Sequence, residues 1–269
     1  MYTCRGFSFF ILLSVSTMFI DAKNIVSSEN RTNISQSLVS AIVDGIDSKS
    51  RMFFVIVHTT DSYCGGTMID RHWVITAAQC VFGRQTDTTH IQAGDFTKQS
   101  AKQFYEVKKV IYADGFDMLT YNNDIALLKT KKSMRSLRSG HKFLPMCKRE
   151  PEDLAVLGSC GMGSDSSYTI NQPSKLQEVL YDHGSNSAGC PENQLCLISF
   201  LSGSSICVYD QGSPLYVMSC GQTKPQCLFG VASHWTGSNV GMGHLCSRVN
   251  VFTKILPLRD WIKNTIRAN

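Results

Sequence analysis

Short runs of apolar and β-branched residues recur along this chain, separated by Gly, Pro, Ser and Asn. Residues 52–57, 73–78, 104–111, 125–128, 154–157, 176–180, 215–218 and 228–232 each have the length and make-up of a strand. That rhythm predicts an all-β barrel or sandwich. One segment departs from it. Over 252–267, Ile255, Leu258, Trp261, Ile262 and Ile266 recur at helical spacing on one face, and Pro257 suits a first turn. A C-terminal α-helix is expected there.

The amino-terminal stretch belongs to another class. Arg5 precedes an apolar run over 7–20, and small or polar residues follow around Ala22. This pattern predicts a secretory signal over 1–22 and an extracellular protein. Residues 23–41 are polar and read as a pro-segment or loose arm. They hold two glycosylation acceptors, Asn30-Arg-Thr and Asn33-Ile-Ser. No later run of 18 apolar residues predicts a membrane span. Hydrophobic residues at 43% and charged residues at 17% are ordinary globular values, so the chain can bury a core without help.

Cysteine usage fits export. Of 11 cysteines, Cys4 leaves with the signal, and the even remainder predicts disulfides. No Cys-x-x-Cys or His-Glu-x-x-His pattern occurs, so neither a metal nor a cofactor is expected. The net charge of +5 is unevenly spread. Lys129, Lys131, Lys132, Arg135, Arg138, Lys142, Lys148 and Arg149 follow one another with no acidic residue between them. This span is either a solubilising surface or a ridge facing a heparin-like polyanion. Nucleic acid is excluded as a partner by export and by the lack of a recognition helix or aromatic ladder.

Five segments, in order, carry a resemblance. Ile42-Val-Asp-Gly, Cys64-Gly-Gly-Thr-Met-Ile-Asp, Trp73-Val-Ile-Thr-Ala-Ala-Gln-Cys80, Asn123-Asp-Ile-Ala-Leu-Leu128 and Cys207-Val-Tyr-Asp-Gln-Gly-Ser-Pro-Leu215 resemble the trypsin/chymotrypsin-like serine proteases. Trp261-Ile fits that family's final helix. The resemblance implies a peptidase-like domain over 42–269, built as two six-stranded antiparallel β-barrels with the active cleft between them.

It also implies where the catalytic machinery would sit, and there the chain departs. The histidine position is Gln79, whose amide has no pKa that suits a general base. The serine position is Gln211, whose amide is a poor nucleophile. The aspartate position is kept as Asp124. Tyr209 stands where a glycine's N–H helps form the oxyanion hole. The floor of the specificity pocket is Ser205, with no charge for a basic substrate, and its wall carries His234 and Trp235, the latter in place of a glycine. Asp210 matches the aspartate that receives the freed amino terminus, but Ala41 precedes Ile42, so a trypsin-like activator is not expected to cut there. A hydrolase of altered mechanism would need Ser213 beside a base such as His234.

The resemblance implies disulfides Cys64–Cys80 and Cys207–Cys246. Cys160–Cys220 is taken as a third pair and Cys190–Cys196 as a local one, which leaves Cys147 and Cys227 for each other. Taken together, the chain resembles catalytically inactive homologues within the family, in particular the inactivated paralogues of parasitic (scabies) mites related to the mite group 3 allergens. That likeness implies a binding protein that interferes with a host defence protein such as a complement component. Polyanion binding or antimicrobial action is the alternative, and an altered serine-type endopeptidase a further one.

Overall fold

The computed structural model describes residues 46–98, 102–134, 143–152, 155–164, 174–185, 189–200, 204–218, 225–236 and 246–269. All of them fall in one compact unit, Val39–Asn269. The expected signal, the arm with Asn30 and Asn33, the Ala41–Ile42 junction, Arg135, Arg138, Lys142 and Cys220 lie outside the described residues.

The amino-terminal half closes on itself. Strands β2 (Phe54–His58), β3 (Tyr63–Met68), β4 (Trp73–Thr76), β7 (Ala126–Thr130), β6 (Gln103–Tyr112) and β5 (His90–Ala93) hydrogen-bond in that order into a closed antiparallel barrel. β2 shows why its sequence is apolar throughout rather than alternating. Val55 and Val57 join the cluster with Met68, Val74, Ile91 and Leu128, while Phe54 and Ile56 pack into a second cluster that also holds Tyr216, Leu228 and Val231. A strand buried on both faces has no polar side to show.

The second half corrects the expectation of two six-stranded barrels. It is a seven-stranded sheet in the order β1 (Ile46–Asp47), β9 (Gln177–Asp182), β8 (Val156–Gly161), β11 (Pro214–Met218), β12 (Pro225–Thr236), β13 (Val249–Lys254) and β10 (Gln194–Ile198). The outer edge of β9 is divided. Gln177 and Glu178 pair with β1, and only a single bridge, Tyr181 to Ser199, reaches towards β10. A six-residue strand cannot serve a full ladder on both claims, so the edges are not zipped together.

The helix is also shorter than expected. α2 runs Arg259–Ala268, because Val249–Lys254 is taken up as β13 between β10 and β12. The apolar face survives in part, with Ile262 fully buried and Trp261 and Ile266 packed against the core.

Disulfides join Cys64 to Cys80, Cys147 to Cys227, Cys190 to Cys196 and Cys207 to Cys246. The Cys160–Cys220 expectation is corrected, since Cys160 is a free, buried thiol. β11 lies antiparallel to β8 with Leu215 opposite Ser159 and Val217 opposite Leu157, so Met218 lies at the end of this pairing remote from Cys160. Burial, and then the neighbouring Glu178 carboxylate, push that thiol's pKa well up. Glu178 itself is held by Arg51 in a buried ion pair of 2.8 Å and by the Tyr216 hydroxyl.

Candidate functional site: a rebuilt cleft

The barrel side of the cleft is assembled where β4 ends and the short helix α1 (Ala78–Val81) begins. The Cys64–Cys80 bridge pins α1 to β3. This puts Gln79 beside Asp124, which precedes β7. The Gln79 backbone N–H donates to Asp124 Oδ1 at 2.9 Å, and its side-chain Nε2 donates to Asp124 Oδ2 at 2.6 Å and to the Ser233 carbonyl at 2.9 Å. Ser233 Oγ donates to the same Oδ2 at 2.6 Å and meets His234 Nδ1 at 3.1 Å. Asp124 is 0% exposed. Burial raises its pKa, and the donors from Ser233, Gln79 and Ala78 oppose that rise. An imidazole's two ring nitrogens could orient and relay a proton. The Gln79 amide N–H groups are committed to acceptors and accept no proton near neutral pH.

The sheet side is the loop from Cys207 to Ser213. Its backbone is tied down near its carboxyl end: Gly65 N–H donates to the Gln211 carbonyl at 2.8 Å, and Gly212 N–H to the Ala232 carbonyl at 2.7 Å. Gly212 has φ +82°, and a Cβ there would lie 2.2 Å from both Gly65 O and Thr76 Oγ1, so no other residue fits. Tyr209 takes φ 74°, a conformation that costs a non-glycine residue energy. Two contacts hold it. Its ring stacks on Tyr63 with centroids 4.4 Å apart, and its N–H donates to Gln211 Oε1 at 2.9 Å. The N–H expected at the oxyanion position is therefore occupied by the Gln211 side chain.

Asp210 lies beneath this loop, 0% exposed. Its carboxylate accepts from Gly163 N–H at 2.8 Å and Cys207 N–H at 2.9 Å. A Cβ on Gly161 or Gly163 would run into that carboxyl. No basic group pairs with it among the described residues. Burial pushes its pKa up to about 7 against the pull of the two backbone donors.

The specificity floor is neutral and filled. Ser205 Oγ donates to the Ser247 carbonyl at 2.6 Å and accepts from Asn250 Nδ2 at 2.7 Å. The Asn250 amide oxygen takes the Tyr181 hydroxyl at 2.6 Å and the Ile206 N–H at 3.1 Å. On the wall, His234 stacks on Tyr121 at 4.8 Å, and burial lowers its pKa. Trp235 is half-buried on β12 opposite Asn250. Ser213 Oγ is buried without a hydrogen-bond partner, so Ser213 and His234 are not brought together as nucleophile and base. Asn250 and Tyr121 carried no signal in the sequence for these roles, although the Asn122-Asn123 pair marks the turn that presents Tyr121.

The basic span is not one patch among its described residues. Lys131 and Lys132 are exposed beside β6, where Lys131 pairs with Glu106 at 2.7 Å. Lys148 and Arg149 are exposed next to Cys147, which is bonded to β12 through Cys227. Lys129 is half-buried, its ammonium 5.5 Å above the Trp73 ring. No group of His, Cys, Asp and Glu among the described residues is arranged to hold a metal. No described helix is long and apolar enough to cross a membrane.

A barrel and a sheet meeting at a buried aspartate, a Cys–Cys staple and a glycine-dependent loop define a serine-protease scaffold. The trypsin family model matches residues 42–262, and the chain belongs to that family. It is 30% identical to the trypsin of Xenopus laevis, over 81% of this chain and 86% of that one. It is 26% identical to trypsin Blo t 3 of Blomia tropicalis, over 65% of this chain and 71% of that one. Among solved structures, human heparin binding protein shares the fold with a TM-score of 0.69 and 22% identity, over 85% of this chain and 98% of that one.

Proposed function

We propose that this protein is a secreted, catalytically silent member of the trypsin family that binds polyanions through its basic surface. The observation that carries the loss of catalysis is the engagement of both glutamines. Gln79 Nε2 is spent on Asp124 and the Ser233 carbonyl, and Gln211 Oε1 on the Tyr209 N–H. Neither group is a base or a nucleophile, and the oxyanion donor is capped. Losing one such donor alone typically costs about 2.7–4 kcal/mol of transition-state stabilisation.

The binding half of the reading rests on exposed Lys131, Lys132, Lys148 and Arg149. The human fold neighbour is named for heparin binding, but the support for this chain comes from its own charges. Interference with a host defence protein such as complement draws on the same surface and is read in the same experiment.

Two measurements test this. Turnover of a broad peptide library and fluorophosphonate labelling should stay at the level of a Gln211→Ala variant; clear excess over it would restore an enzyme reading. Heparin retention should drop in the variant Lys131→Glu, Lys132→Glu, Arg135→Glu, Arg138→Glu and fall with salt. Complement inhibition is assayed in parallel. Retention unchanged by four charge reversals would remove this ridge from the function.

A further inference from the structure

Strands β6 and β7 place two lysines opposite each other. In the antiparallel register Lys109 is the direct partner of Lys129. Like charges in that position are destabilising, and no Asp or Glu side chain pairs with either among the described residues. Both ammonium groups instead turn to oxygens of one residue. Lys109 Nζ donates to Asn269 Oδ1, and Lys129 Nζ to the Asn269 main-chain oxygen. A register shift between Val107 and Lys109 marks a bulge, and Lys108 and Lys109 are both exposed there. Lys131 and Lys132 follow β7 and are exposed as well. Glu106 is paired with Lys131, whose hydrogen bond and charge hold that carboxyl below its ordinary pKa.

We propose that this β6–β7 surface, centred on Lys109 and Lys129, is an anion subsite that takes the sulfate groups of a sulfated polysaccharide. The subsite rests on the polyanion reading and gives it a place that the 129–149 span alone does not mark. Two ammonium groups converging on the oxygens of one residue are arranged for a ligand group with several oxygens. The Asn269 oxygens fill that role in the present structure. A groove between β6 and α2, lined by Lys109, Tyr112, Trp261, Asn264 and Thr265, opens beside the pair. Asp114 also lines the groove, so the ligand's sulfates belong at the lysines and not beside Asp114.

The test is titration of the secreted protein with a heparin octasaccharide at several salt concentrations. The variants are Lys109→Gln with Lys129→Gln, Lys109→Arg with Lys129→Arg, and Lys148→Gln with Arg149→Gln as a distant comparison. Two contacts at the upper end for exposed charges predict about thirtyfold weaker binding in the first variant. The salt slope should fall by about two. The arginine variant should bind within about twofold of wild type, and the distant variant should weaken less than the first. Unchanged binding in the first variant, with wild type binding well, overturns the subsite and leaves the polyanion reading standing. Loss in the arginine variant as severe as in the glutamine variant assigns the effect to structure and also overturns the subsite. No binding by wild type overturns the polyanion reading itself. Equal competition by inorganic sulfate at the same sulfate equivalents would make this a free-anion site and overturn the polysaccharide assignment.

Discussion

The cleft has two sides, and each holds an aspartate that is 0% exposed. On the barrel side Asp124 is surrounded by donors: the Gln79 backbone and side chain and the Ser233 hydroxyl. On the sheet side Asp210 has two backbone N–H groups and, among the described residues, no partner from a side chain. On the barrel side the Gln79 amide donor reaches the Asp124 carboxylate and closes the hydrogen-bond frame. On the sheet side Gln211 folds back onto Tyr209. Burial raises both pKa values; four donors oppose that rise at Asp124, whereas Asp210, with two, takes up a proton near neutral pH.

The largest expected effect separates the two aspartates by pH. Asp210 titrates near 7 when folded, against an ordinary value of 3.8. The folded state therefore holds a proton that the unfolded state releases, and stability falls as pH rises between those values. About three pH units at about 1.4 kcal/mol each make this roughly 4 kcal/mol, present below pH 4 and lost by about pH 7. Urea unfolding of wild type and Asp210→Asn from pH 4 to 8 isolates it as the difference in slope. Parallel profiles would show that Asp210 is ionised throughout and paired outside the described residues.

Next in size is Asp124→Ala. It strips the acceptor from the Ser233 hydroxyl and from two Gln79 donors, and leaves a cavity. We expect a loss of about 3 kcal/mol in urea unfolding. A loss below about 1 kcal/mol would mean that the donor shell contributes little and that the two sides are alike.

Gln79→Ala should cost less, about 1–2 kcal/mol, because it removes the donors but leaves Asp124 with the Ser233 hydroxyl and backbone N–H groups. The same urea measurement reads it, and a cost equal to that of Asp124→Ala would place the whole frame in the glutamine.

The smallest effect belongs to Tyr209→Gly. Relief at φ 74° stabilises by roughly 1–3 kcal/mol, and loss of the Tyr63 stack and of buried ring area offsets it by a similar amount. The net change should stay within about 1 kcal/mol. Tyr63→Ala in the same background should then matter less than in wild type. Independent, additive effects of the two changes would show that the stack does not hold Tyr209 in place.

Legibility differed between elements. β4 and β7 were readable because they are unbroken apolar runs, while β3 was missed because Gly65 and Gly66 give it little strand propensity. The helix was placed too early because the apolar residues of 252–255 suit a buried strand and a helix face alike. Strand count in the second sheet depended on which segment claims the edge of β9, a competition between residues far apart in sequence.

The amino-acid types at the cleft were set by the sequence alone: amides at 79 and 211, carboxylates at 124 and 210, a tyrosine at 209. An amide at 79 is no general base and an amide at 211 no effective nucleophile whatever the fold details, because pKa and nucleophilicity are properties of the groups. Only the tertiary structure decided what each group touches. Ser233 reaches Asp124 across 109 residues, and Asn250 reaches Ser205 across 45. Lys109 meets Lys129 only because a bulged register brings the two strands together there. Hydrogen bonds and charge contacts act over a few ångströms, and it is long-range strand pairing that brings distant residues to those distances.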